Sequence, residues 1–263
     1  MISKFWFEAQ NINCFKGGFR VIKDLNLKIS YSENVILIGP NGSGKSSLIE
    51  VINRNIYPVK TKKSKLKILG SELINLWELR KRISTVNNDI KNRINPNLHV
   101  YDLILSGLYG RYCYIPNKSE RDLHEVENIM KNMDISYLSK KNFSYLSDGE
   151  KQISLIARAL IKKPDILILD EPTANLDYKS KFFVIDKINE LSKLNTKILC
   201  VTHNISMITP IYDRVIMLKS GRVIAEGNQN KVINNKNLNK LYGINLEVVK
   251  ENEFWTIKRL PKE

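Results

Sequence analysis

The stretch Glu33-Asn34-Val35-Ile36-Leu37-Ile38-Gly39-Pro40-Asn41-Gly42-Ser43-Gly44-Lys45-Ser46-Ser47-Leu48-Ile49-Glu50 decides the fold. Residues 35–38 are apolar and rich in β-branched side chains, the pattern of a buried strand. A loop of small residues follows, and a helical apolar pattern begins at its end. The order Gly39, then Gly44-Lys45-Ser46, satisfies the phosphate-loop spacing in the strand-to-helix setting that this spacing requires. Glycines let successive backbone N–H groups curl around a β-phosphate, and the first helical turn adds unpaired donors. Lys45 reaches β- and γ-phosphates, and Ser46 ligates magnesium. A nucleoside triphosphate is therefore the expected ligand, and what its energy drives has to come from the rest of the chain.

Working outward, 263 residues allow one large core or a core with an attached subdomain. No stretch approaches the roughly 18–20 unbroken apolar residues of a membrane span, so a membrane role would need another chain to supply the span. The beginning of the sequence lacks an apolar core and a small-residue cleavage site, which gives cytoplasmic residence as the expectation. Cys14, Cys113 and Cys200 lie far apart and form no C-x-x-C pair, which fits reduced structural thiols rather than a zinc or iron–sulfur site. The net charge of +15 is compatible with nucleic acid or anionic lipid, yet the lysines are scattered. Only Lys60-Thr61-Lys62-Lys63-Ser64-Lys65-Leu66-Lys67 is dense, and it reads as a solvated face or hairpin. The abundance of Lys, Asn and Ile reflects nucleotide composition of the gene as readily as function.

Residues 5–29 carry short alternating segments at 5–9, 12–15, 21–22 and 25–29, with Gly17-Gly18 as a turn, and predict antiparallel strands laid against the phosphate-loop strand. Phe15 is either a core aromatic or a platform for an adenine ring. Residues 66–70 read as a strand and turn, 73–81 as a short helix and 83–86 as a strand. The Asn-rich residues 87–96 suggest a mobile connection. Helical periodicity follows at 100–108 and 120–133, with Pro116 between and Ser119 as a cap. Met130 and Met133 fall on a core face, and His99 and His124 are structural or surface residues.

Leu146-Ser147-Asp148-Gly149-Glu150 opens another helix, with Ser147 and Glu150 in capping-box spacing. A hydroxyl, a glycine and a helix N-terminus also make a possible second anion site. The apolar strand 166–169 ends in Asp170 and Glu171. At the carboxyl edge of a parallel sheet, Asp170 is placed to hold magnesium and Glu171 to polarise an attacking water. Asn175-Leu176-Asp177 forms a tight turn, and residues 182–194 read as helix. A buried strand at 197–202 ends in His203, which is either a γ-phosphate sensor or a satisfied structural residue. Residues 215–226 form a hairpin around Ser220-Gly221, 228–242 a polar closing helix and 247–257 a last hairpin. The end beyond Leu260 is expected to be frayed.

In this order the motifs resemble the ATP-binding subunit of an ATP-binding-cassette (ABC) transporter, over about residues 5–242. The resemblance implies an α/β fold, a P-loop NTPase (RecA-like) with a parallel-sheet core, an N-terminal antiparallel β subdomain and an inserted helical subdomain. Residues 1–88 and 160–263 would form the nucleotide-binding core and 89–159 the helical subdomain. It places ATP on Gly39, Asn41, Gly42, Ser43, Gly44, Lys45, Ser46 and Ser47, with Phe15 stacking on adenine. Ser46 and Asp170 would bind Mg2+, Glu171 would be the catalytic carboxylate, and His203 the switch histidine. Asp177 belongs to the turn that communicates across a dimer. The family's glutamine is missing; Asn88, with Asn87 as competitor, occupies its place and would serve both catalysis and the metal.

Head-to-tail pairing of two copies, implied by the same resemblance, resolves the second anion site: Ser147 and Gly149 of one copy close over the γ-phosphate held by the other. The implied partners are a second copy of the chain, an integral membrane permease dimer and, in the same complex, a solute-binding protein, with the subunit peripheral on the inner face of the membrane. Nucleic acid is not expected. Residues 100–107 and the segment from Thr202 to Pro210 are similar to subunits of metal, iron-chelate or molybdate uptake. The alternative is a soluble cassette ATPase serving protein or cofactor assembly or nucleic acid.

Overall fold

The computed structural model describes residues 4–191 and 195–260. These fall into two compact units, one made of the described residues up to Arg80 and from Lys197 onward, the other of those within Lys81–Thr196. In chain order the elements are β1 (Phe5–Lys16), β2 (Phe19–Ser30), β3 (Val35–Ile38), α1 (Lys45–Ile52), β4 (Lys65–Ile68), α2 (Leu76–Arg82), β5 (Ile83–Val86), α3 (Val100–Tyr109) and α4 (Glu120–Asn132). Then come α5 (Asp148–Leu160), β6 (Ile166–Asp170), α6 (Tyr178–Glu190), β7 (Lys197–Thr202), β8 (Arg214–Lys219), β9 (Arg222–Gly227), α7 (Gln229–Val232), α8 (Asn235–Tyr242), β10 (Leu246–Glu251) and β11 (Phe254–Arg259).

In the first unit, β3 lies between β7 and β8 and is parallel to both. All four β3 residues are buried, which is why they read as an unbroken apolar run rather than an alternating one. β9 returns antiparallel to β8 through Ser220 and Gly221, both with positive φ, as a two-residue hairpin turn requires. The four segments expected over residues 5–29 merge into two 12-residue strands. Register shifts absorb the polar interruptions, and Asn13 Oδ1 accepts from the Asp24 backbone N–H at 2.7 Å. These strands join β4 in a sheet of their own, ordered β2-β1-β4, instead of pairing with β3.

Asn34 clamps the central strands. Its Oδ1 accepts from Ile198 N–H at 3.0 Å, its Nδ2 donates to Ile211 O at 3.2 Å, and its backbone N–H donates to Asp213 Oδ2 at 2.8 Å. Asn34→Ala leaves buried partners unsatisfied and is expected to lower stability by about 1–3 kcal/mol, measurable by denaturant unfolding.

The expected closing helix at 228–242 is two helices, because Asn228 and Asn234 side chains each take a backbone N–H and restart the chain. Asn204 does the same for the short 3₁₀ turn Ile205–Met207. β10 and β11 form the final hairpin through Asn252 and Glu253, again with positive φ. The residues beyond Leu260, expected to fray, lie outside the described residues.

In the second unit, β5 and β6 run parallel, and α5 packs against α3 and α6. The stretch expected to be a mobile connection contains a 3₁₀ helix, Asn88–Arg93, anchored by buried Ile90 and Ile94. Ser119 and Asp122 cap α4 reciprocally. Met130 and Met133 are buried, while His99 and His124 are exposed. α6 starts at Tyr178, earlier than expected, because the Asp177 carboxylate accepts from Ser180 N–H at 2.9 Å; the expected helical residues 192–194 lie outside the described residues.

Cys14 and Cys200 are buried and Cys113 is exposed; burial pushes the Cys14 thiol up to about 11, so it is inert at neutral pH. Lys60, Lys62, Lys63 and Lys65 are exposed, as a solvated face requires. Among the described residues no helix is long and apolar enough to cross a membrane.

Candidate nucleotide site

The loop from Gly39 to Gly44 leaves β3 and enters α1. Gly42 and Gly44 have φ of 76° and 104°, a backbone that side-chain-bearing residues rarely adopt. At Gly39 a Cβ would lie 2.3 Å from Leu218 O and 2.6 Å from Ser43 Oγ, so no side chain fits where the loop passes β8. Lys45 is buried, and its Nζ donates to Gly39 O at 2.9 Å and Pro40 O at 3.1 Å. Ser43 is also buried, and its Oγ has no hydrogen-bond partner. A glycine cradle, an ammonium bonded within it, an orphaned hydroxyl and the amides of the first turn of α1 fit a polyphosphate. Asn41, Gly42 and Ser46 are exposed on this loop and Ser47 is half-buried. Ser46 offers a hard oxygen donor of the kind magnesium takes.

Two further candidates belong to the same unit. β7 and β3 are in parallel register with Thr202 opposite Ile38, so His203 leaves its strand beside Gly39. Phe15 pairs with Arg20 in the β1–β2 hairpin and is 50% exposed, which removes the core-aromatic alternative.

The second unit carries the remaining candidates. Val86 is opposite Leu169, so Asn87 leaves β5 beside the position where Asp170 ends β6. Asp170 and Glu171 are half-buried, and Glu171 has φ of 51°, held in a turn where its carbonyl accepts from Ala174 N–H at 3.1 Å. A left-handed glutamate costs about 1 kcal/mol or more, a strain often found at functional positions. Ser147 caps α5: its Oγ accepts from Glu150 N–H at 3.2 Å, and its own N–H donates to Glu150 Oε2 at 2.8 Å. Gly149 is pressed against α6, where a Cβ would meet Ser180 Cβ at 3.1 Å. Asp177 begins that helix, and the backbone N–H of Ser180 holds its carboxyl below the usual carboxylate range.

Gly221 and Tyr242 carry no site role in the sequence pattern, and Asn87 enters it only as the competitor of Asn88. Gly221 N–H donates to Ser43 O at 2.7 Å, and its carbonyl accepts from Lys23 N–H at 2.9 Å, so the β8–β9 turn braces the phosphate loop. A Cβ at Gly221 would lie 2.5 Å from Val21 O, so only glycine permits this approach. Asn87, noted only as a competitor, has a buried Oδ1 without a partner, whereas Asn88 is exposed at the start of its 3₁₀ helix. Tyr242 donates its hydroxyl hydrogen to His203 O at 3.1 Å. The Ser220-Gly221 turn signal and the adjacent Asn87-Asn88 pair are the sequence signals that point to Gly221 and Asn87; none points to Tyr242.

The fold and loop define a nucleotide-binding α/β protein of the P-loop class. The family model for ABC transporters matches residues 22–174. The ABC transporter ATP-binding protein YmeB of Lactococcus lactis subsp. lactis is 32% identical, over 91% of this chain and 93% of its own. CbiO1 from Clostridium perfringens, part of the ABC transporter complex CbiONQ, superposes with a TM-score of 0.77 at 27% identity, covering 90% of this chain and 94% of its own. A dimeric ATP-binding cassette bound to ADP and Pi in a post-hydrolysis state gives a TM-score of 0.68 at 25% identity, covering 84% and 98%. The chain belongs to the ABC transporter family. It has the RecA-like P-loop fold of that family's ATPase domains, a mixed sheet core with a helical subdomain.

Proposed function

We propose that this chain hydrolyses ATP as one half of a head-to-tail dimer and drives solute movement through a separate membrane permease. The observation that carries the reading is the loop between β3 and α1, where the Gly39–Gly44 turn, buried Lys45 and the orphaned Ser43 hydroxyl converge. Lys45 neutralises phosphate charge, and Phe15, half-exposed on its hairpin, stacks on the adenine. Ser46 and Asp170 are the residues that would hold Mg2+, which supplies neutralisation of charge at the phosphates. Glu171 orients and deprotonates water, and His203 senses the γ-phosphate. For the family's missing glutamine, the buried Oδ1 of Asn87 favours Asn87 over Asn88.

Ser147 and Gly149 complete the site of the opposite copy, with Asp177 on the adjoining helix. Support comes from the dimeric cassette with ADP and Pi and from CbiO1 being part of the ABC transporter complex CbiONQ. The subunit would sit on the inner face of the membrane, with a solute-binding protein in the same complex. Residues 100–107 and the segment from Thr202 to Pro210 favour metal, iron-chelate or molybdate uptake as the branch. Residues 1–88 with 160–263 would act as the nucleotide-binding core and 89–159 as the helical subdomain, docking on the permease through about residues 89–145.

The test is Ser147→Arg. It is expected to abolish ATP-dependent dimerisation in size-exclusion chromatography while ATP binding by the single chain persists. Loss of the cap costs about 1 kcal/mol of stability, so a folded protein is expected. Undiminished dimerisation would sink the composite-site reading. Co-purification with a membrane permease supports transport coupling, and recovery only with a soluble assembly scaffold or ribosome opposes it.

A further inference from the structure

The segment after His203 is held by the end of the chain. Asn204 N–H donates to Thr202 Oγ1 at 3.1 Å, and Asn204 Oδ1 accepts from the N–H and Oγ of Ser206 at 3.1 and 2.8 Å. This turn fixes residues 204–206 locally, but it leaves the carbonyl of His203 to other partners. Tyr242, the last residue of α8, donates to that carbonyl at 3.1 Å across 39 residues of sequence.

α8 is itself anchored. Leu238 and Leu241 are buried, and Asn235 and Asn239 accept from the backbone N–H groups of Val248 and Leu246 at 2.8 and 2.7 Å. The hairpin so attached returns through β11, which packs on the 3₁₀ turn Ile205–Met207. Trp255 on β11 is buried and donates through Nε1 to Gln229 Oε1 at 3.1 Å. The carboxy-terminal helix and hairpin thus grip the His203 segment from two sides, at the carbonyl through Tyr242 and at residues 205–207 through β11.

We infer that Tyr242 is a positioning residue for His203, setting the peptide plane that aims the imidazole, with the β10–β11 hairpin as its support. A hydrogen bond to the carbonyl fixes rotation of the peptide between His203 and Asn204. Without it the ring samples positions away from the γ-phosphate, and misplacement of a reacting group by about 1 Å is enough to slow chemistry. The inference rests on the reading of His203 as the γ-phosphate sensor. A bare structural alternative is that Tyr242 only closes α8 ahead of Gly243, whose left-handed backbone ends the helix.

The experiment measures steady-state phosphate release by the full chain for Tyr242→Phe, His203→Ala and the double variant, with nucleotide binding and hydrogen exchange of residues 203–207. Tyr242→Phe keeps the ring and removes only the hydroxyl. It is expected to lower kcat about three- to ten-fold, the scale of one hydrogen bond, with KM for ATP unchanged and faster exchange at residues 203–207. The double variant is expected to be no slower than His203→Ala, because both act through one group. Wild-type kcat in Tyr242→Phe, or additive losses in the double variant, would overturn positioning while a slowed His203→Ala keeps the sensor reading. Wild-type kcat in His203→Ala would overturn both.

Discussion

Glu171→Gln is expected to reduce steady-state ATP turnover by roughly a hundred- to ten-thousand-fold, the contribution of a positioned general base. The glutamine side chain has nearly the same shape and retains an acceptor oxygen, so the turn from Glu171 to Ala174 and its left-handed backbone are preserved. What disappears is basicity. Lys45, Ser46 and the glycine cradle are untouched, so ATP binding is expected at wild-type affinity. With hydrolysis blocked, the ATP-bound dimer accumulates, visible as a doubled mass by light scattering in the presence of ATP and Mg2+. Unchanged turnover would remove Glu171 from the chemistry and transfer the role of base elsewhere.

Lys45→Ala acts earlier, on binding. The ammonium is buried and bonded to Gly39 O and Pro40 O, so it stands inside the loop rather than over it. A charge-assisted hydrogen bond to phosphate is worth about 1.5–3 kcal/mol, which corresponds to roughly 10- to 150-fold weaker ATP binding. Titration with a fluorescent ATP analogue measures this directly. Adenosine, which lacks phosphates, is expected to bind both proteins equally, and a parallel loss of adenosine binding would mean that the substitution had disturbed the loop as a whole. The two substitutions therefore separate holding the nucleotide from hydrolysing it.

Local structure carried by consecutive residues was legible in the sequence. The β3 strand, the phosphate loop and α1 occur as expected because a buried apolar run, a glycine spacing and a helical period are local properties. The same holds for the strand ending at Asp170 and for the cap at Ser147. Contacts made across the chain were not legible. Gly221 braces Ser43 because β8 returns beside β3, and nothing in the spacing of either segment announces that meeting. Asn87 and Asn88 are indistinguishable as letters; strand register and burial separate them. Errors in element boundaries had a related origin. Polar residues that interrupt an apolar pattern look like breaks in sequence, yet in β1 they sit at bulges, and at residues 87–96 two isoleucines anchor a turn.

The asparagine starts of the carboxy-terminal helices bear on how the molecule can change its electrostatics. Asn228 and Asn234 accept backbone N–H groups with a neutral amide, in a protein whose net charge is +15. An aspartate at either position would accept the same N–H and also be drawn to the positive end of the helix dipole. The surplus charge can therefore be lowered one unit at a time at helix starts, at positions outside the candidate nucleotide site. Solubility and surface attraction are adjustable independently of the chemistry, and an asparagine-rich composition keeps that adjustment a single amide-to-acid exchange away.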